Sequence, residues 1–308
     1  MTGEPVSDPT AKQGSESWFA PLLACPDCRA PIPLWREEPS CSNCGFSRPP
    51  RELPAGSQPD LRPLFAGALD VRLARHSPID VGVELERIDT SPPRLAYLGP
   101  SAQRDSRELL SAATSSLVSG ARVLDHGCGP RDQAVCLDWL GCQYVGFDIA
   151  HPNADLLADA HALPFVAESF DCVLSYAVLE HIRSPVVGLR EIDRVLAPGG
   201  VLVGTVSQGE PFHDSFFHWT TWGLLSLVAE VTHLSVERLW AGPDTLTALA
   251  GMGRYPRVIK ALLGALSTLH RRLPWLAPRT LRQTAKRRQI EALHRAGSIC
   301  FLMRKNAS

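Results

Sequence analysis

Short apolar runs recur through the second half of the chain: RVLD at Arg122–Asp125, QYVGFD at Gln143–Asp148, DCVLSY at Asp171–Tyr176 and VLVGTVS at Val201–Ser207. Each ends in a polar or glycine-rich turn, and helix-length stretches separate several of them. The pattern predicts an α/β body, a parallel sheet with helices on both faces. Leu234–Trp240 and Ser298–Arg304 predict the last two strands. The 57 residues between them, 241–297, far exceed a hairpin connection and predict an inserted helical element. Ala102–Ser119 reads as a helix ahead of the first strand.

The N-terminal part follows other rules. Residues 1–18, rich in Ser, Gly, Pro and Thr, offer little to bury and predict a disordered lead-in. Residues 19–63 hold two close cysteine pairs, with nine prolines between Leu22 and Pro63; this segment is too small for a core of its own and needs a staple. Residues 64–100 are proline-punctuated and predict a linker or cap, leaving 101–308 for the α/β domain with its insertion at 241–297. At 308 residues and 44% apolar composition, a wholly disordered chain is excluded.

Charge adds a division that hydropathy does not show. The total of 31 Lys and Arg against 32 Asp and Glu gives no net field to attract nucleic acid or membrane. From Gly251 to Ser308, however, 13 Lys and Arg face the single acid Glu291, while residues 1–250 carry 18 basic against 31 acidic groups. No apolar run approaches the roughly 18–20 residues of a bilayer span. The opening MTGEPVSDPT has neither basic flank nor apolar core, so the expected location is cytoplasmic.

Cys25-Pro-Asp-Cys28 and Cys41-Ser-Asn-Cys44-Gly45 are separated by 12 residues. Each pair forms a knuckle that presents two thiolates, and four soft ligands suit tetrahedral Zn2+. Redox-active or unpaired CxxC pairs are the alternative. A closed four-thiolate site leaves no open coordination position, so such a zinc is structural. Through LLACPDCRAPI at Leu22–Ile32 and PDLRP at Pro59–Pro63, the module resembles the zinc ribbon of activator subunits of tRNA and protein methyltransferases.

Val123-Leu124-Asp125-His126-Gly127-Cys128-Gly129-Pro130 places two glycines where a strand should turn into a helix, opened by Pro130. Glycine there lets backbone approach a ligand, and a helix N-terminus supplies N–H donors. Asp148 follows Gly129 by 19 residues at the end of the next strand, where a carboxylate accepts bonds from ribose hydroxyls. No third-glycine pattern favours a nicotinamide dinucleotide.

VLDHGCGP at 123–130, VGFDIA at 145–150, ADAHALPF at 158–165, FDCVLSYAVLEHI at 170–182 and LREIDRVLAPGG at 189–200 together resemble the class I S-adenosylmethionine-dependent methyltransferases, in particular the ubiquinone- and menaquinone-biosynthesis branch. The resemblance covers about residues 105–240 and implies a Rossmann-like, seven-stranded, doubly wound sheet whose last strand is antiparallel. It implies that Asp125, Gly127 and Gly129 line the methionine and ribose portion of S-adenosylmethionine and that Asp148 holds the ribose. Asp159 and Ala160 would flank the adenine, with Ser175 and Tyr176 at the cleft floor. The family carries a further glycine after GCGP; here Arg131 stands in its place, either crowding the cofactor or pairing with its carboxylate.

Acceptor-side candidates are His181, in the LEHI stretch and expected to position rather than to act as base, and His213 and His218 in the aromatic FHDSFFHW segment. The last two are either proton acceptors or ordinary loop histidines. Thr220-Thr221 can cap a helix. In the insertion, Val258, Ile259, Leu262, Leu263, Leu266, Leu269 and Leu273 fall on one helical face, flanked by basic residues. This element is expected to lie on an anionic membrane, bind RNA or dock on the acidic body of its own chain. The expected activity is methyl transfer to a small-molecule or lipid-linked acceptor. The alternatives are an RNA base methyltransferase, or a catalytically degenerate subunit that recruits a partner.

Overall fold

The structure is a computed structural model and describes residues 17–32, 39–54, 56–63, 117–209, 215–242, 244–252, 255–276 and 292–307. Its strands are β1 (Arg51–Leu53), β2 (Gly56–Gln58), β3 (Arg122–His126), β4 (Gln143–Asp148), β5 (Leu156–Leu157), β6 (Phe170–Tyr176), β7 (Leu196–Ser207), β8 (Leu234–Ala241) and β9 (Ser298–Lys305). Its helices are α1 (Ala134–Trp139), α2 (Pro185–Val195), α3 (Thr221–Val231), α4 (Thr245–Met252) and α5 (Arg257–Leu276). β1 and β2 form an antiparallel hairpin, and the other seven strands form one sheet in the order β5-β4-β3-β6-β7-β9-β8. Neighbours are parallel except at β9, which runs antiparallel to both β7 and β8. The expected α/β sheet with its antiparallel last strand is therefore present.

Period-2 alternation gives this sheet two apolar faces. Leu124, Val145, Val173, Leu202 and Phe301 point into one core cluster, and Val123, Tyr144, Cys172, Val203 and Leu302 into the other. Covering both faces turns β3, β6 and β9 into nearly continuous buried runs. Each fully buried Val, Leu or Phe contributes about 1.5–3 kcal/mol. From β3 the chain goes outward through β4 and β5, then returns to the other side of β3 as β6, so the sheet reverses order between β3 and β6. Open α/β sheets bind ligands outside the carboxyl ends of their strands at such a switch point.

Ends of elements follow local chemistry. Pro185 opens α2, and the buried Lys305 Nζ donates to the carbonyls of Asp193 (2.6 Å) and Leu196 (2.9 Å) at its other end. Thr220 caps α3 as expected, its Oγ1 accepting from Gly223 N at 3.0 Å. Three elements depart from the sequence pattern. β7 begins at Leu196 rather than Val201, because Leu196 pairs with Phe170 and the Ala197–Gly200 turn bulges out of the register. α1 begins at Ala134 rather than at Pro130, because Arg131 has φ +67°, outside the right-handed helical region. Of the helix expected over Ala102–Ser119, only 117–119 lie within the described residues, and they are not helical.

The cysteine module is joined to the edge of the sheet. Leu61 N donates to Leu157 O and Leu157 N to Pro59 O, both at 2.8 Å, so Pro59–Leu61 runs parallel to β5 and closes an otherwise open edge. On the other side, Ala24 N donates to Pro164 O at 3.0 Å and Val166 N to Leu22 O at 2.8 Å. Arg29 bonds Leu163 O at 2.9 Å and Glu191 at 2.8 Å. Phe19, Leu23, Ile32, Phe46 and Leu61 belong to the same core cluster as the sheet. Trp18, assigned from composition to the lead-in, is packed instead: its Nε1 donates to Tyr144 O at 3.1 Å and its ring meets Phe170 edge-on at 6.3 Å. Residues 1–16 and the expected linker at 64–100 lie outside the described residues.

Gln58 is almost fully buried, and its Nε2 donates to His151 O (3.0 Å) and Ala154 O (2.7 Å). Gln58→Leu keeps the volume and removes the donor. Leaving these carbonyls unpaired is expected to lower unfolding stability by about 2 kcal/mol, read from the midpoint of urea denaturation; an unchanged midpoint would show that this bond pair does not hold the loop.

Candidate functional site

At the carboxyl end of β3 the chain turns through Gly127 (φ +70°) and Gly129 (φ +48°). The two glycines serve different needs. A Cβ on Gly127 would lie 2.6 Å from Val178 Cγ2, so this position is dictated by packing across the switch point. A Cβ on Gly129 would meet nothing within 4 Å, so its backbone borders open space. Gly129 N donates to Asp148 Oδ2 at 3.2 Å, and Asp148 Oδ1 accepts from Ala150 N and His151 N at 2.9 Å each. The partly exposed Asp148 carboxylate thus joins the glycine turn to the loop after β4.

Behind this turn lies a buried polar chain. Arg131 Nη1 pairs with Asp155 Oδ1 at 2.8 Å and its guanidinium lies 5.1 Å from the centre of the Tyr144 ring. Asp155 Oδ2 accepts from Gly146 N at 2.8 Å, and Tyr144 OH donates to Asp125 Oδ2 at 2.7 Å. The arginine that replaces the family's glycine is engaged with its own chain. Burial pushes the Asp125 carboxyl up to about 6, against the pull of the Tyr144 hydroxyl. Burial also pushes Asp155 up, opposed by Arg131. The neighbouring His126 is fully buried, edge-on to Phe147 at 5.0 Å, and burial lowers it to about 4, so it is neutral.

Ser175 and Tyr176 point to opposite sides of β6. Ser175 is fully buried with its Oγ 3.4 Å from His126 Nδ1, whereas Tyr176 is half-buried against the other core cluster. Asp159 stands just beyond β5, and Ala160 packs half-buried on the core. Asp159 Oδ1 lies 2.6 Å from His161 Nδ1, while His161 Nε2 accepts from Ser184 N at 3.0 Å. A nitrogen that accepts carries no proton, so Nδ1–H faces the carboxylate and this buried imidazole fixes the loop after β5 to the start of α2.

Of the histidines expected to serve an acceptor, His181 is exposed and His218 is exposed with Nδ1 3.2 Å from Gln208 O. A carbonyl only accepts, so Nδ1 donates in this contact. His213 lies outside the described residues. Glu180, fully buried, accepts Ser207 N through Oε1 at 3.0 Å, and its backbone carbonyl accepts Phe216 N at 2.9 Å. Among the described residues, Ser207 Oγ and Trp219 Nε1 are buried without a hydrogen-bond partner. Sequence reading did not find Gln58, Arg51, Arg62, His161 or Asp155 as parts of the site. Arg62 and His161 lay within quoted motifs, PDLRP at 59–63 and ADAHALPF at 158–165, without being singled out there.

The four cysteine sulfurs lie within 4.8 Å of one another, with Cys25–Cys44 and Cys28–Cys41 each at 3.5 Å. Thiolates about 2.3 Å from a tetrahedral zinc stand about 3.8 Å apart, so the set fits such an ion. Arg29 (φ +70°) and Gly45 (φ +76°) occupy equivalent positions one residue after each pair. Asp27 N donates to Cys25 Sγ at 3.4 Å and Asn43 Nδ2 to Cys28 Sγ at 3.3 Å. The Asn43 amide holds Cys28 down to about 6, while burial pushes Cys25 up.

Residues 124–204 match the family model described as "Methyltransferase domain". Among curated proteins, the chain is 34% identical over 154 residues to a tRNA (carboxymethyluridine(34)-5-O)-methyltransferase of Arabidopsis thaliana, covering 44% of this chain and 34% of that one. It is 30% identical over 136 residues to a ubiquinone biosynthesis O-methyltransferase of Cereibacter sphaeroides, covering 39% and 54%. The chain thus spans about a third to a half of the length of these relatives. Among solved structures, it resembles a putative sarcosine dimethylglycine methyltransferase from Galdieria sulphuraria with 19% identity and a TM-score of 0.45, over 65% of this chain and 84% of that one.

A carboxyl raised from 3.8 to about 6 favours the folded state below pH 4, and this contribution is lost as pH rises through about 6. Asp125→Asn keeps an acceptor for Tyr144 and removes the titration. Denaturation at about pH 4 and pH 7 is expected to show the stability difference moving in favour of the variant by on the order of 2 kcal/mol at the higher pH. A pH-independent difference would contradict a buried, raised Asp125.

Proposed function

We propose that this chain, whose α/β body is a class I methyltransferase domain behind an N-terminal four-cysteine ribbon, transfers the methyl group of S-adenosylmethionine to a small-molecule or lipid-linked acceptor. The observation that carries this reading is the cradle at the switch point. Gly129 at φ +48° borders open space, while Asp148 braces the turn and leaves part of its carboxylate accessible. When bound, S-adenosylmethionine supplies an electrophilic methyl group on a sulfonium. In this reading Asp148 accepts the ribose hydroxyls and Asp125, Gly127 and Gly129 border the methionine and ribose. Asp159 and Ala160 flank the adenine, and Ser175 and Tyr176 support the floor. Displacement at a sulfonium needs mainly alignment of the acceptor and exclusion of water, which falls to the Ser207–Trp222 segment. The exposed Phe216, Phe217 and Trp222 suit an apolar acceptor.

RNA is the second reading, favoured by the tRNA named for the Arabidopsis relative and by the basic excess after Gly251. The reading of a degenerate subunit rested on Arg131, whose guanidinium is engaged by Asp155 and Tyr144. Calorimetric titration with S-adenosylmethionine and its demethylated product tests all three. Micromolar binding is expected, with Asp148→Ala weakening it at least about a hundredfold, a loss of about 2.7 kcal/mol. Absence of binding to the unaltered chain would overturn the enzyme reading. An RNA affinity falling steeply with salt would transfer the acceptor to RNA.

For the ribbon we assign one structural Zn2+ on Cys25, Cys28, Cys41 and Cys44. Its four sulfurs leave no coordination position for chemistry. Elemental analysis is expected to find one zinc per chain, and Cys41→Ser to lose it together with stability, since metal-site binding energy is folding energy. Metal-free protein with unchanged stability would refute the assignment.

A further inference from the structure

α5 is seated with its polar side inward. Ser267, fully buried, donates from Oγ to Asp244 Oδ2 at 2.6 Å and lies 3.0 Å from Thr247 Oγ1 at the start of α4. Gly264 and Thr268 accompany it on this side, half-buried. Val258, Ile259, Leu262, Leu266 and Leu269 occupy the opposite side, within about a 100° sector. They are exposed, from 40% at Ile259 to 78% at Val258. An amphipathic helix that covered its own sheet would show the reverse. A contiguous apolar stripe of this kind marks an interaction surface.

Charge selects the occupant. The helix sequence contains no Asp or Glu, and it carries Arg257 and Lys260 at one end and Arg271 and Arg272 near the other. Residues 251–308 hold 13 basic groups against Glu291 alone. The acidic excess of the chain is all in residues 1–250.

The stripe belongs to the same edge of the sheet as the candidate cleft. β7 and β8 run parallel to β6, and β9 runs back between them, so Ser207, Ala241 and Ser298 share the edge at which β3 and β4 end. Gln208 Nε2 donates to Leu293 O (2.6 Å) and Ala296 O (3.1 Å), and the exposed Trp222 meets the His294 ring edge-on at 6.2 Å. The insertion therefore leaves and rejoins the sheet beside the acceptor segment.

We propose that α5 lies on an anionic membrane surface, with Val258, Ile259, Leu262, Leu266 and Leu269 in the acyl boundary and the net positive charge of residues 251–308 drawing it to the phosphate headgroups. Membrane contact stands on the helix alone. That the bilayer delivers a lipid-linked acceptor to the cleft rests on the methyltransferase reading.

The test is co-sedimentation of the full chain with phosphatidylcholine vesicles, with and without phosphatidylglycerol. Binding is expected to the anionic vesicles only, to weaken with salt, and to fall at least about tenfold in Leu262→Gln/Leu266→Gln. Both positions are exposed, so thermal stability should be unchanged in this variant. No sedimentation with anionic vesicles at low salt would overturn the proposal. So would a self-association that the same pair of substitutions abolishes, or an RNA affinity that accounts for the basic excess without vesicle binding. Titration of the same preparation with S-adenosylmethionine separates the two readings: vesicle binding without cofactor binding keeps the membrane surface and removes the enzyme, and the reverse outcome does the opposite.

Discussion

The backbone of Gly146–Asp155 must find hydrogen-bond partners that β4 and the two-residue β5 do not supply. Its N–H groups at Gly146, Ala150 and His151 are taken by the carboxylates of Asp155 and Asp148. Its carbonyls at Ile149, Ala150, His151 and Ala154 are taken by Arg62, Arg51 and Gln58. Three of these five partner residues, Arg51, Gln58 and Arg62, come from the cysteine module. At the buried end of the segment, as at Ala154 O, an unmade backbone bond costs about 1–3 kcal/mol. The ribbon thus acts on the candidate cofactor loop through hydrogen bonds to its outer side, without occupying the cleft. Asp60 is tied into the same join. Burial works against its charge, yet hydrogen bonds and the charge of Arg62, with Arg48 beside it, hold the carboxyl below its ordinary value.

Burial acts with opposite consequences on two adjacent residues of the glycine turn. It raises Asp125 and lowers His126, in each case disfavouring the charged form. Arg131 accounts for the short α1. A residue at φ +67° cannot continue a right-handed helix, and its side chain closes on Asp155 from that position. The chain gives up the first turn of a helix in exchange for neutralising a buried carboxylate.

Regular repetition is what made the fold legible in the sequence. Strands buried on both faces read as apolar runs, so β3, β4, β6, β8 and β9 were found to within a residue of their ends. The paired cysteines and spaced glycines were legible because each answers a strict geometric demand, four converging sulfurs or a positive φ. Contacts that depend on no period were not legible. Gln58, Arg51 and Arg62 bond carbonyls about ninety residues away, and nothing in their neighbourhood marks the partner. Trp18 sits in a polar composition yet packs on Phe170. The apolar stripe of α5 was visible as a period, but a period identifies a face and not the side on which it packs; the outward orientation comes from Ser267 and Asp244.

Glu180 shows how a charged residue in a cleft motif can serve architecture. Its side chain accepts the backbone of Ser207 at the end of β7, and its own carbonyl accepts Phe216 N and Phe217 N. Trp219 N then closes on Ser207 O at 2.8 Å, and Thr220 caps α3. One fully buried residue after β6 thus holds both described ends of the connection from β7 to α3. Among the described residues, Ser207 Oγ and Trp219 Nε1 stand there buried without hydrogen-bond partners, a hydroxyl and an indole donor held in place by neighbouring backbone bonds. Glu180 therefore ties the end of β7 and the Phe216–Phe217 backbone to the residues that follow β6 across the switch point.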